Sequence, residues 1–517
     1  MPCSIIGSIR FENLFMKIKS EILEVMIMEA FKSTVGLINT ILWDYLLIFG
    51  LIGVGIYLTV KLKFPQFTRV FPALRKMISD IVNKKQVEEG KMTPFQALST
   101  AVAAQVGTGN IVGVATAIAA GGPGAAFWML VSAFFGMATI FAEAVLAQKY
   151  RETEDGELVG GPAYYIKNGL KSKGLSVFFS LACIIALGIV GIMVQSNSVA
   201  GSVSTAFNVP TIAVTIGLAI IVALILMGGM GRIASFAETV VPVMAGGYIL
   251  GSFIIILMNL NMFIPAMKSI FIGAFTPQAI GGGVLGVTIQ QTIRYGLARG
   301  LFSNEAGMGS TPHSHAVADT AHPAEQGFTA MIGVFISTFL ICISTVIVNL
   351  VSGAYSYDVP ASVMSQTATV MTQNGFTSGF GSFGGMFLSI CLSFFSLTTI
   401  VGWYFFAESN VKFLVNGKKA TLTMFKIIVI IALVVGTMIE AEFVWDMADM
   451  FTGLMAIPNI IALTMLSKDV VNILKDYDAK VELGQVCWKY EYENIEKDEP
   501  SVRKRALRKG LTTTIIK

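Results

Sequence analysis

Residues 103–113 read Ala-Ala-Gln-Val-Gly-Thr-Gly-Asn-Ile-Val-Gly and place a glycine-rich break inside an apolar stretch. The apolar run continues beyond the break, from Val112 to Ala120. In the hydrocarbon of a membrane, unwound backbone persists only where protein or a water-filled cavity covers it. Gly107 and Gly109 permit such unwinding because glycine lacks a Cβ. The sequence therefore predicts a membrane helix that is broken here, with freed backbone groups available to bind a ligand.

The chemistry of that ligand follows from the ends of the two half-helices. The positive dipole end of the second half-helix favours an anion, and loose carbonyl groups favour a cation. A zwitterion together with a metal cation satisfies both ends. This combination is typical of a secondary transporter.

The composition indicates a membrane protein, since 54% of the residues are hydrophobic and 13% are charged. Stretches of about twenty apolar residues, each long enough to cross a bilayer, recur along the chain. We predict eleven transmembrane spans, at 39–60, 95–119, 124–147, 176–206, 210–229, 235–258, 280–300, 327–351, 380–407, 423–439 and 444–467.

The distribution of Lys and Arg predicts the orientation, because these residues accumulate in cytoplasmic loops. The loop 61–94 carries eight of them, whereas the loop 353–379 carries none. This alternation places the N-terminus outside and the basic tail, 468–517, in the cytoplasm. We expect no cleavable signal in the N-terminal extension, 1–38, and Met16 or Met28 are alternative starts.

A weak internal repeat divides the spans into two sets of five. Residues 95–258 begin with the broken span. Residues 280–467 begin in the same way, with an apolar half-helix up to Tyr295, then Gly296-Leu-Ala-Arg-Gly300 and then a Gly-rich polar stretch. An odd number of spans in each unit inverts the second unit in the membrane, and paired interruptions indicate a binding site at the midplane. The span at 39–60 is an additional helix outside this five-plus-five core.

Four motifs resemble the alanine or glycine:cation symporter family. They are Ala-Gln-Val-Gly-Thr-Gly-Asn-Ile-Val-Gly-Val-Ala-Thr-Ala (104–117), Gly-Gly-Pro-Ala-Tyr-Tyr (160–165), Met-Val-Gln-Ser-Asn-Ser-Val-Ala (193–200) and Gly-Leu-Phe-Ser-Asn-Glu-Ala-Gly-Met-Gly-Ser (300–310). The resemblance covers about 40–470 and implies an all-α, LeuT-type fold with one extra N-terminal helix. Ile192 departs from the family, because many members carry Asn at this position.

The resemblance also implies the activity. Members of this family are symporters that take up small neutral amino acids, chiefly alanine and glycine, with sodium. Alternatives within the family are glutamine or another neutral amino acid as substrate, and proton coupling in place of sodium. We expect a multi-pass protein of the prokaryotic plasma (inner) membrane that functions as a monomer and has no nucleic-acid partner.

The resemblance assigns the substrate site position by position. The N–H groups of Thr108 and Gly109 are expected to hold the substrate carboxylate, so that a Leu side chain at position 109 would occupy its space. Gln195 is either a substrate contact or a hydrogen-bonding link between helices. Trp403, one turn beyond Thr399, is either a wall of the pocket or an ordinary packing residue. The predicted substrate-binding residues are Thr108, Gly109, Gln195, Thr399 and Trp403.

A sodium site is implied beside the substrate. The carbonyls of Ala103 and Val106 are expected to face the ion, and Thr398 and Thr399 supply two adjacent hydroxyls. Oxygen atoms of this kind are the ligands that a small hard cation prefers. The alternative is that these hydroxyls bond to carbonyls of their own helix, as Ser and Thr do in many membrane helices.

Charged residues within spans are rare and informative. Glu143 and Glu238 are expected to pair with basic loop residues, and Arg294 is a candidate for an ion pair at a gate. The three histidines His313, His315 and His322 are expected in a solvated cytoplasmic loop, with metal binding or pH sensing as alternatives.

Other functional classes lack their required features. A channel would need polar rings along several spans, whereas the polarity here is concentrated at two breaks. A membrane enzyme would need a nucleophile and base or a metal cluster within the spans. We therefore predict a transporter that is not an enzyme.

Overall fold

The computed structural model describes residues 26, 28–82, 91–154, 157–276, 278–280, 284–356, 358–359, 361–415, 418–483 and 486–488. Most of the predicted N-terminal extension and the basic end of the predicted tail lie outside the described residues.

Helices make up nearly all of the described chain. The helices, in chain order, are α1 (Met28–Lys61), α2 (Pro65–Thr68), α3 (Val70–Val82), α4 (Pro94–Gln105), α5 (Gly109–Gly121), α6 (Ala125–Lys149), α7 (Pro162–Asn168), α8 (Lys173–Phe207), α9 (Thr211–Leu226), α10 (Gly229–Met258), α11 (Leu260–Gly273), α12 (Ile289–Asn304), α13 (Pro312–Ala316), α14 (Pro323–Val351), α15 (Ala361–Phe380), α16 (Ser382–Val415), α17 (Lys419–Gly436), α18 (Ala441–Met465) and α19 (Ser467–Glu482). Two antiparallel hairpins complete the described structure, β1 (Glu152–Glu154) with β2 (Glu157–Val159) and β3 (Gln278–Ile280) with β4 (Val284–Val287).

The helices confirm a polytopic all-α membrane protein. Among the described residues, eight helices are long and apolar enough to cross a membrane, and α4 and α5 form a ninth candidate that is bent by 54°. Two of the eleven predicted spans, 210–229 and 280–300, correspond to the shorter helices α9 and α12. The predicted count of eleven therefore stays a prediction.

The predicted span at 280–300 differs from the structure at both ends. Ile280 ends β3, Val284–Val287 form β4, and α12 begins only at Ile289. The start is fixed by Thr288, whose hydroxyl accepts the N–H of Gln291 while the Gln291 amide oxygen accepts the N–H of Thr288. Such a capping box satisfies two N–H groups that a helix end leaves unpaired.

The second interruption does not begin at Gly296, because α12 continues through Gly296 and Gly300 to Asn304. The chain leaves the helix only in the Gly-rich polar stretch that follows. A Cβ at Gly296 would lie 2.4 Å from the carbonyl oxygen of Ala125, and one at Gly300 would lie 3.1 Å from the Cα of Met129. These glycines allow α12 and α6 to approach closely, as small residues spaced by four do between membrane helices.

Several segments that the sequence presents as loops contain helices. The basic segment 61–94 includes α2 and α3, the segment 353–379 includes most of α15, and the tail begins with α19. These helices are polar or amphipathic, so a search for long apolar stretches does not find them.

The packing surrounds the broken helix with other helices. The first half, α4, lies against α10, α14 and α16, and the second half, α5, lies against α12 and α15. The outer surface of the bundle is apolar: on α9, for example, Ile212, Ile216 and Ile220 are 59%, 53% and 56% exposed. A continuous apolar surface of this kind suits contact with lipid.

Candidate functional site

The first break in the helix lies where the sequence predicts it. Helix α4 ends at Gln105, Val106 leaves the helical region with φ −106° and ψ 87°, and α5 begins at Gly109 with a π-helical turn. The Asn110 amide oxygen accepts the N–H of Gly107 at 3.0 Å, and its amide nitrogen donates to the Ser303 hydroxyl on α12 at 2.7 Å. Asn110 therefore braces the break.

Three carbonyl oxygens freed at the end of α4 converge on one hydroxyl of α16. The Thr399 Oγ1 lies 2.9 Å from the Ala103 oxygen, 3.3 Å from the Ala104 oxygen and 3.2 Å from the Val106 oxygen. A hydroxyl supplies one proton, so it satisfies one of these carbonyls at a time. The other two carbonyl oxygens receive no proton from this hydroxyl, and a small cation would satisfy them.

Thr398 points elsewhere. Its Oγ1 lies 3.0 Å from the Phe394 oxygen and 2.9 Å from the Phe395 oxygen of its own helix, and 3.6 Å from the Met244 sulfur on α10. The hydroxyl thus bonds within α16, which is the alternative that the sequence left open. The structure brings Thr399 but not Thr398 to the carbonyls of Ala103 and Val106.

The N–H groups at the break meet a side chain of α8. The Gln195 Oε1 accepts the N–H of Thr108 at 3.1 Å. An oxygen atom of a substrate carboxylate would accept the same N–H from this position. The Thr108 side chain is fully buried, and its hydroxyl has no hydrogen-bond partner within the described part of the chain. Such an unpaired buried hydroxyl costs free energy unless a ligand satisfies it.

The two glycines of the break face different neighbours. A Cβ at Gly107 would lie 2.5 Å from the Thr399 Oγ1 and 3.1 Å from the Gln195 Oε1. A Cβ at Gly109 would instead lie 3.0 Å from the Phe302 Cδ1 on α12. A Cβ at Gly109 thus meets α12 rather than Thr399 or Gln195, and the expectation that a side chain at position 109 enters the carboxylate space stays a prediction.

Trp403 lies between three parts of the molecule. Its indole Nε1 donates to the Glu305 Oε1 at 2.6 Å, and its ring meets the Phe302 ring edge-on at a centroid distance of 6.0 Å. A Cβ at Gly191 of α8 would lie 2.5 Å from the Trp403 Cζ3. Trp403 thus lies close to Gly191 of α8, Phe302 of α12 and Glu305, which follows α12.

A second break follows α12. Glu305, Gly307 and Gly309 have φ values of 57°, 91° and 85°, and the chain resumes a helical course only at α13. The Gln105 amide nitrogen donates to the Asn304 carbonyl at 2.7 Å and so connects the two breaks. Positive φ is unfavourable for a residue with a Cβ, and Glu305 adopts it because hydrogen bonds hold its side chain.

Within the described residues, Glu143 does not pair with a basic loop residue, contrary to expectation. The fully buried carboxylate accepts the N–H groups of Gly307 and Gly309 at 3.0 and 2.9 Å and the Asn459 amide at 2.6 Å. Glu238 accepts from the Gln96 amide at 2.9 Å, and no ion pair of it is seen among the same residues. It lines a cavity of ≈ 480 Å³ together with Arg69 and Lys76.

Two arginines of α12 form ion pairs with other helices. Arg294 pairs with Asp44 of α1 at 2.7 Å, which provides the partner that the sequence could not identify. Arg299 forms two parallel hydrogen bonds to Asp449 of α18, at 2.7 and 2.8 Å, and lies over the Trp445 ring. The bidentate geometry ties α12 to α18.

The histidines are buried rather than solvated. His313, His315 and His322 are 2%, 0% and 0% exposed. His313 bonds to Asn410 at 2.8 Å, His315 to Gln326 at 2.7 Å and His322 to Asp476 at 3.0 Å. Burial lowers the pKa of His322, although its hydrogen bond to Asp476 acts in the opposite direction. The described residues contain no cluster of His, Cys, Asp and Glu suited to a metal ion.

Sequence reasoning missed Glu305, Phe302 and Ser303 as residues of this region. All three fall in the motif 300–310, and the signal available was a glutamate inside an apolar environment, which is costly and therefore informative.

The geometry can now be compared with known proteins. The model of the sodium:alanine symporter family matches residues 28–489. A sodium/alanine symporter of Methanococcus maripaludis is 39% identical over 87% of this chain and 97% of its own length. An alanine carrier of Bacillus subtilis, described as sodium/proton-dependent, is 39% identical over 87% and 93% of the two chains. A protein of the same organism named as a sodium/glutamine symporter is 38% identical over 87% and 91%.

Proposed function

Because this chain belongs to the sodium:alanine symporter family, we propose that it imports alanine or glycine together with sodium. It is a multi-pass membrane transporter and not an enzyme. The proposal extends to a LeuT-type arrangement of eleven spans, with the N-terminus outside and the C-terminus in the cytoplasm of a prokaryotic cell. The protein would function there as a monomer.

The observation that carries the proposal is the contact of Thr399 with the broken helix. Its hydroxyl faces the Ala103 and Val106 carbonyls within 3.2 Å. We propose that sodium binds among the Thr399 hydroxyl oxygen and these two carbonyl oxygens, because the acceptor atoms outnumber the hydrogen-bond donors available to them. Thr398 is left out of this set, since its hydroxyl bonds to the Phe394 and Phe395 carbonyls.

The substrate site lies on the other side of the same backbone. The carboxylate would accept the N–H groups of Thr108 and Gly109 and the unpaired Thr108 hydroxyl. For this, the Gln195 amide must turn away from the Thr108 N–H and becomes free to contact the substrate. Trp403 and Phe302 would form an aromatic wall, which favours a small side chain.

Coupling then follows from shared backbone. Residues 106–109 would present carbonyls to sodium and N–H groups to the carboxylate, so that each ligand fixes the conformation that the other requires. By thermodynamic linkage, sodium must raise the affinity for alanine by the same factor as alanine raises the affinity for sodium.

The test is uptake of radiolabelled alanine by reconstituted vesicles with and without a sodium gradient. Thr399→Val keeps the shape of the side chain and removes the contact of its hydroxyl with sodium, which is worth about 1.5–3 kcal/mol. The half-saturating sodium concentration should therefore rise about 10- to 100-fold. The matched control is Thr398→Val, which removes the neighbouring hydroxyl but no contact with the Ala103 or Val106 carbonyl. Equal sodium dependence in both variants would refute the sodium assignment.

A glutamine transporter is the second candidate, favoured by the relative named as a sodium/glutamine symporter. Competition by unlabelled amino acids separates the two. We expect alanine and glycine to compete more strongly than glutamine, leucine or phenylalanine. Stronger competition by glutamine than by alanine would decide for the second candidate.

A further inference from the structure

Two carboxylates lie at the second break without a cationic partner. Glu143 and Glu305 are both fully buried. Within the described residues, neither forms an ion pair, and their hydrogen bonds come only from neutral groups. A buried carboxylate without a compensating charge costs several kcal/mol or takes up a proton. The partners of each carboxylate indicate which of the two does so.

The surroundings of Glu143 suit the ionised form. Its three partners are the N–H groups of Gly307 and Gly309 and the amide nitrogen of Asn459. All three donate, and none can accept a hydrogen bond. A proton on Glu143 would face donors only, so these hydrogen bonds favour its ionised form over its protonated form. Hydrogen bonds to the charged form stabilise it.

The surroundings of Glu305 suit both forms. The Trp403 indole donates to Oε1 at 2.6 Å, and the Ser310 hydroxyl lies 2.5 Å from Oε2. An indole can only donate, whereas a hydroxyl can donate or accept. When Glu305 is protonated on Oε2, its carbonyl oxygen still accepts from Trp403 and its new O–H donates to Ser310. Both oxygen atoms of the protonated Glu305 then keep a partner.

Within the described residues, the neighbouring elements supply no fixed positive charge to Glu305. The titratable groups around it there are Glu143 on α6, Cys183 on α8 and His313 on α13, whose Nδ1 bonds to the Ser310 carbonyl. The residues that face this region from α16 and α18 include Trp403, Asn410 and Asn459, which are neutral. A negative charge on Glu143, which accepts N–H groups of the same loop, makes a second negative charge on Glu305 unfavourable.

We propose that Glu305 is a proton-binding site of the transport cycle and that Trp403 transmits its protonation state to the substrate pocket. The proposal rests on the proposed transport function for its physiological meaning, although proton binding itself can be measured separately. The hydrogen bond from Trp403 to a charged carboxylate is stronger than one to a neutral acid. A proton taken from water therefore loosens the indole and changes the wall of the pocket, so that alanine affinity depends on pH.

The first experiment detects the proton directly. The purified protein is titrated between about pH 5 and 9, and the infrared difference spectrum is followed for the carbonyl stretch of a protonated carboxylic acid. Glu305→Gln should abolish the band, because its amide reproduces the bonds of the neutral acid without a titrating group. Trp403→Phe should move the midpoint of the band to higher pH, since it removes a donor that favours the charged form. The matched control is Glu408→Gln, which changes another buried glutamate, hydrogen-bonded to Tyr404, and should leave the band in place.

The second experiment measures alanine affinity by calorimetry over the same pH range. We expect the wild-type affinity to change about fivefold or more and the Glu305→Gln affinity to stay at the acid limit of the wild type. The proposal is overturned if Glu305→Gln keeps the wild-type pH profile or the infrared band, or if Glu143→Gln removes the band instead. Absence of sodium-dependent alanine uptake by the wild type would refute the proposed function but leave the infrared result standing.

Discussion

Gly107→Ala is the sharpest perturbation of the proposed sodium site. The new Cβ would lie 2.5 Å from the Thr399 Oγ1, and 3.1 and 3.2 Å from the two amide atoms of Gln195. Contacts below 3.0 Å do not persist, so one partner must move. Thr399 is a fully buried, β-branched residue, and it can yield only by rotating its hydroxyl away from the Ala103 and Val106 carbonyls.

The magnitude follows from the hydrogen bonding that is lost. Leaving a buried polar group without its partner costs about 1–3 kcal/mol, which corresponds to a loss of sodium affinity of about 5- to 100-fold. The assay is alanine binding to the purified protein at increasing sodium concentration. At saturating sodium, part of the alanine binding should return, because the ion favours the conformation in which the carbonyls converge.

Gly113→Ala is the matched control for this prediction. Gly113 lies in α5, is also buried, and a Cβ there would meet nothing closer than the Trp445 ring at 3.7 Å, an ordinary contact distance. Its half-saturating sodium concentration should equal that of the wild type. The reasoning would be refuted by a Gly107→Ala protein that folds and has wild-type sodium affinity, or by equal losses in both variants.

Two further predictions concern α12. Gly109→Leu should weaken alanine binding while membrane insertion persists, because the side chain meets Phe302 at 3.0 Å and overpacking costs about 1–3 kcal/mol; binding to the Gly109→Leu protein at wild-type affinity would contradict this, and adding Phe302→Ala should restore part of it. Arg299→Lys should lower the melting temperature of the purified protein, since Lys cannot reproduce the bidentate pair with Asp449 and the lost bonds are worth about 1–3 kcal/mol. Unchanged melting of Arg299→Lys would show that this pair does not stabilise the packing of α12 on α18.

The sequence by itself determined the membrane class and the first break. Long apolar stretches require a bilayer, and the glycines at 107 and 109 within one of them require unwound, protected backbone. Both conclusions rest on local composition and need no knowledge of neighbouring helices. The family resemblance, carried by contiguous motifs, was confirmed for the same reason.

The second break shows where local reasoning ends. Gly296 and Gly300 have the same composition signal as the first break, but they remain helical because α6 packs directly against them. The chain unwinds instead at Glu305, where Glu143 of α6 accepts the N–H groups of Gly307 and Gly309, and Asn459 of α18 donates to Glu143 and to the Gly307 carbonyl. The burial of the three histidines is another property of packing that no single segment encodes.

The choice between Thr398 and Thr399 was equally tertiary. Adjacent residues on a helix point about 100° apart, so the sequence offers two hydroxyls, and only the rotation of α16 against α4 decides which one meets the freed carbonyls. That rotation is set by contacts such as Gly402, where a Cβ would lie 3.1 Å from the Ala104 Cβ. Residue types are local, whereas the direction in which a side chain points toward another helix depends on how all the helices pack.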